Sequence, residues 1–190
     1  MLRQIGCHVG RAAEGDQLGR QLEQVLDELT TEQSAATETN DGPEHGPDHR
    51  HDGRSQGHRQ QPRRPVAVPL IWNEPQMALS LLRYGGRLLV TAGFHVPALP
   101  DEESTGYPQV SASALGAAGT ELLLLTSEPH DFSLEEGQQI AAAVEAEGFD
   151  RPQPIKVDGE ALTWFGSRTA SALHYFQNLR QKVRSRINYS

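Results

Sequence analysis

Apolar residues recur at Leu18, Leu22, Val25, Leu26 and Leu29, a spacing of i, i+4, i+7, i+8 and i+11 that lines one face of a helix over 14–31. The stripe is narrow and Gly19 weakens it, so this helix needs a partner surface, either the main domain or another chain. The pattern then stops. Between Thr31 and Arg64 the only apolar residues are Ala35 and Ala36. Residues 32–65 are therefore expected to be a disordered linker, because they cannot bury enough surface to offset the entropy of ordering them.

Past Pro65 the periodicity returns. Val66–Trp72 reads as a strand, with Pro69 favouring a sheet edge. Asn73-Glu74-Pro75-Gln76 carries helix-start signals, and Gly85-Gly86 a helix stop, so residues 73–84 read as a helix. Arg87–Ala92 reads as a second strand running into Phe94-His95-Val96, and 97–119 as a long loop with one helical turn near 111–115. Glu121–Ser127 holds Leu122, Leu123, Leu124 and Leu125 in a row, which predicts a strand buried on both faces. Ser133-Leu134-Glu135-Glu136 is a capping box opening a helix that ends at Gly148. Ile155–Val157, Asp158-Gly159 and Ala161–Phe165 read as a β-hairpin, and 170–183 as a helix. The expectation is an α/β or α+β domain over 66–190, a mixed sheet of about four to six strands with about three helices, preceded by an N-terminal segment (1–31) and the linker (32–65).

Charge changes the picture at one end. The net charge is −8, which argues against general binding to nucleic acid. No Asp or Glu follows Glu160, however, so the last 30 residues carry +5 and the first 160 carry −13. Cys7 is the sole cysteine, which rules out an intrachain disulfide and a cysteine zinc site. The N-terminus has no apolar core of a secretory signal, and the longest aliphatic run falls far short of the ~20 residues of a membrane helix. These features lead to an expectation of a soluble, cytoplasmic, bacterial protein.

Three places could carry chemistry. His95 and His130-Asp131 each follow an expected strand; if those strands are parallel neighbours, the three groups converge as an imidazole–carboxylate site for general-base catalysis. The linker places His45, His49, His51 and His58 among Glu44, Asp48 and Asp52, a donor set for weak binding of a divalent transition metal, although the spacing defines no geometry. At the C-terminus, Arg180, Lys182, Arg184 and Arg186 flank an apolar stripe and could meet an acidic partner, an anionic surface or RNA. Trp72, Trp164 and Phe165 read as core or rim hydrophobes. Nucleotide-binding, helix-turn-helix, zinc-finger and EF-hand motifs are absent, and no bound cofactor is expected.

Helix, spacer and domain together suggest a non-catalytic protein-interaction or regulatory module that binds a protein partner or self-associates. The alternatives are a small hydrolase- or lyase-like enzyme using His95, His130 and Asp131, and a nucleic-acid or anionic-surface binder using the basic C-terminal segment.

Overall fold

A computed structural model of the chain describes residues 63–100 and 105–187, together with Ala13, Gln17 and Arg20, which are helical and exposed. The rest of the expected 14–31 helix and the linker up to residue 62 lie outside the described residues.

Four strands form one mixed sheet in the order β2-β1-β3-β4, where β1 is Ala67–Trp72, β2 Met77–Ala78, β3 Leu122–Thr126 and β4 Gln153–Val157. β1, β3 and β4 are parallel, in the registers Val68↔Leu123 and Leu124↔Ile155, while β2 returns antiparallel to β1. Five helices accompany the sheet: α1 (Tyr84–Thr91), α2 (Ala112–Ala117), α3 (Leu134–Ala146), α4 (Glu160–Thr163) and α5 (Thr169–Ile187). This is the expected mixed α/β class.

The central strands are buried on both faces, as the leucine run predicts. Ala67, Leu122 and Leu124 pack with Leu88, Leu89, Leu162, Leu173 and Phe176 from α1, α4 and α5. Val68, Leu70, Leu123 and Leu125 turn the other way, onto Leu115 of α2 and Ile140, Ala141 and Val144 of α3. Alternate side chains of each strand thus feed two separate cores, and the parallel sheet is closed between helical layers.

Several elements differ from the sequence expectation. Residues 73–76 form a turn and Met77–Ala78 pairs with β1, because the signals that start a helix (Asn, then Pro) also build turns. The helix comes one element later. Gly85 and Gly86 lie inside the first turn of α1, where a Cβ on Gly86 would stand 2.1 Å from the Ser80 carbonyl oxygen. The expected hairpin is instead a strand followed by α4, since Asp158 Oδ1 accepts from the Glu160 amide and turns the chain into a helix. β1 is an interior strand, not an edge. Pro69 is tolerated there because it falls between the two short pairings on that side, Val66–His95 and Leu70–Ala78.

Candidate functional site

The parallel strands all end at one edge of the sheet, where three connections meet: the β1–β2 turn, the β3–α3 loop and the β4–α4 turn. Ligands of open α/β sheets bind at this edge. Both tryptophans of the chain are here and both are exposed, Trp72 by 42% and Trp164 by 58%, beside Phe165 at 73%. Exposed apolar groups at such an edge are candidate ligand contacts.

A carboxylate ties the first two connections together. Glu136, at the third position of α3, accepts from the Ser133 amide (2.7 Å) and hydroxyl (2.9 Å) through Oε2. Its Oε1 accepts from Asn73 Nδ2 at 2.8 Å and meets His130 Nε2 at 2.9 Å. The Ser133 backbone donor, then the His130 bond, hold its pKa down at about 2, so the group is ionised and His130 Nε2 carries the proton between them. His130 is held further by Phe132 (ring centroids 4.6 Å apart) and stands edge-on to Trp72 at 6.0 Å. The expected capping box is therefore present, and it also braces the turn that presents Trp72.

A second set of contacts joins the β3–α3 loop to the β4–α4 turn. The Gly159 amide donates to Ser127 Oγ at 3.0 Å, and Trp164 Nε1 donates to Glu128 Oε1 at 3.0 Å. A Cβ on Gly159 would lie 2.6 Å from both the amide nitrogen and the carbonyl oxygen of Glu128, so only glycine allows these two segments to approach. Lys156 pairs with Asp131 at 3.0 Å, and Arg168 pairs with Glu160. A cavity of about 310 Å³ opens beside this segment, bounded by Asp158, Glu160, Arg168, Ser171 and Tyr175.

The histidine expectation is corrected by topology. His95 bridges in parallel to Val66, at the amino end of β1, whereas His130 lies beside Trp72 at the carboxyl end. Six residues of extended chain separate those ends, ~20 Å at the usual strand rise. His95, His130 and Asp131 do not share a site: His130 is engaged by Glu136 and Asp131 by Lys156. His45, His49, His51 and His58 lie outside the described residues; among those described, no three His, Cys, Asp or Glu side chains gather as a metal site.

The basic C-terminal segment is helical. Leu173, Phe176 and Val183 bury its apolar stripe in the core. Arg180 lies against Gly93 and Arg184 is half-buried, while Lys182 points elsewhere into solvent, so these cations form no single basic face; the Arg186 side chain lies outside the described residues. Trp72, Trp164 and Phe165, read from sequence as core or rim hydrophobes, were not among the candidate site residues, and all three are exposed. The available signal was position: Trp72 and the Trp164-Phe165 pair each follow an apolar segment and precede a polar turn, Asn73-Glu74-Pro75 or Gly166-Ser167-Arg168.

No protein-family model matches the sequence, and no curated protein does. Solved structures do. The chain is similar to the periplasmic heme-binding protein HutB of Vibrio cholerae (TM-score 0.60, 14% identity, 93% of this chain and 60% of that one). It is also similar to the periplasmic heme-binding protein RhuT from Roseiflexus sp. RS-1 (TM-score 0.56, 16% identity, 93% and 60%). The periplasmic vitamin B12 binding protein BtuF of Vibrio cholerae aligns as well (TM-score 0.52, 10% identity, 92% and 54%). The fold is thus that of periplasmic binding proteins, and the chain spans about 60% of the length of the heme-binding structures it matches. These neighbours overturn the expectation of a cytoplasmic protein-interaction or regulatory module, since they are periplasmic and bind small ligands. No described helix is long and apolar enough to cross a membrane.

Proposed function

We propose that this chain is a ligand-binding lobe of the periplasmic binding-protein type, which captures a large, partly flat ligand on the carboxyl edge of its sheet as part of an uptake system. The observation that carries the reading is that Trp72, Trp164 and Phe165 are each exposed on connections that leave that edge. Aromatic faces bind flat apolar ligands through buried area and stacking, at little conformational cost. The neighbouring proteins are named for binding heme and vitamin B12, ligands of that size and shape, which supports the reading. One edge covers one face of such a ligand, whereas binding sites usually bury ~70–90% of a ligand's surface; the other face falls to a partner surface.

Tryptophan emission tests this directly, because both reporters are at the proposed site. Titration with haemin and with cyanocobalamin, corrected for inner-filter absorption against free tryptophan, should give saturable quenching by at least one of them. Trp164→Ala should weaken that binding about tenfold, the loss of roughly one good aromatic contact. Linear, unsaturable quenching by both ligands would overturn the proposal.

A further inference from the structure

The charge balance of the same edge selects among flat ligands. Two of its cations are committed: Lys156 is paired with Asp131 and Arg168 with Glu160. Three carboxylates have no cationic partner among the described residues: Glu74 in the β1–β2 turn, Glu128 beside Trp164, and Asp158 at the cavity mouth. Glu128 accepts from Trp164 through Oε1 and Asp158 from the Glu160 amide through Oδ1, so the second oxygen of each has no donor among the described residues. Because Gly159 brings their two loops into contact, these free acceptors lie on adjoining segments next to the aromatic surface.

We infer that the ligand presents hydrogen-bond donors or positive charge to this lobe, and no carboxylates: a neutral or cationic macrocycle or chelate whose flat body rests on Trp72, Trp164 and Phe165 and whose amide or amine arm enters the cavity at Asp158. The inference rests on the proposed ligand-binding function and adds the ligand's polarity to it. The aromatic surface supplies contact area whatever the ligand's charge, while carboxylates without counter-ions repel an anionic periphery and accept from N–H groups. At about 310 Å³ the cavity has room for a substituent arm of such a ligand.

The test compares two porphyrins of one core, a tetracationic N-methylpyridinium form and a tetra-anionic sulfonatophenyl form, titrated into the full chain by tryptophan quenching at physiological salt. Uncharged, amide-armed cyanocobalamin is the third probe. The cationic porphyrin should bind at least about tenfold more tightly than the anionic one, with cyanocobalamin also ahead of the anion. The double substitution Glu128→Gln with Asp158→Asn should cut that preference several-fold, its fold checked by circular dichroism. Glu147→Gln, an exposed carboxylate at the far end of α3, should leave the preference unchanged. Tighter binding of the anion, or equal losses in the Glu147→Gln and double variants, would overturn the inference while leaving ligand binding intact. Failure of all three probes to bind would instead remove the functional proposal beneath it.

Discussion

Glu136 shows how much one side chain can organise. Its carboxylate satisfies the first turn of α3, fixes the protonated nitrogen of His130 and reaches across to Asn73, so three backbone segments converge on two oxygens. Its pKa is lowered to about 2, first by the Ser133 amide and then by His130. A depressed carboxylate pKa contributes stability that is fully present above the unfolded value near 4.5 and is lost as pH falls through the folded value. Glu136→Gln keeps an acceptor but cannot ionise. Its thermal midpoint should therefore lie below that of the wild type at neutral pH, and the gap should shrink as pH falls from 4.5 toward 2. A gap constant across that window would show that the carboxylate charge does not hold the turn. At the same scale, Gly159 is required for space and not for an unusual backbone angle: its φ is −66°, which any residue adopts, but a methyl group there has nowhere to go.

Among the elements, α1 is one whose reading reversed, from strand to helix. Leu88, Leu89 and Ala92 are buried and Arg87 is exposed, a spacing that suits a helical face, although Val90 and Thr91 favour a strand by propensity. The paired glycines resolve the conflict. In a helix interior they are normally a cost, and replacing one by alanine gains ~1 kcal/mol. In α1 they let the helix backbone close on the Ser80 and Leu162 carbonyls, which a Cβ would meet at 2.1 Å and 2.4 Å. Gly86→Ala should consequently destabilise the domain, by about 1–3 kcal/mol as overpacking usually does, despite the gain in helix propensity. Urea denaturation measures the sign; a stabilised variant would mean that α1 shifts freely on the sheet. α4 also reverses a strand reading, since the Asp-Gly pair that suggests a hairpin instead leads into a short helix, with Asp158 Oδ1 accepting from the Glu160 amide.

For the whole molecule, the defining feature is a sheet buried on both faces between helical layers. Leu123 and Leu124 are neighbours in β3, are both fully buried, and belong to different cores. Leu123→Ala and Leu124→Ala should each cost about 2–5 kcal/mol, the usual range for a large cavity in a closed core. A sheet with one wet face would make one of the two nearly silent, so the pair of unfolding midpoints separates the two architectures. The same topology separates function from core. Every parallel strand delivers its following loop to a single edge, and that edge carries the exposed tryptophans.

The class of fold, β1, β3 and β4, the α3 capping box and the C-terminal helix were legible in the residues, because each rests on a local pattern: an apolar run, a cap spaced three residues from its glutamate, a helical stripe. The candidate site was not legible. His95 and His130 looked convergent because both follow expected strands, but Arg87–Ala92 is a helix, which sends His95 to the opposite end of β1. Trp72, Trp164 and Phe165 read no more sharply than core or rim because burial of an aromatic side chain depends on what packs over it, not on its neighbours in sequence. Local patterns determine which segments form helices and strands wherever propensity and periodicity agree. Strand order and direction, set by long-range pairing, decided which loops share an edge and which aromatics were left uncovered.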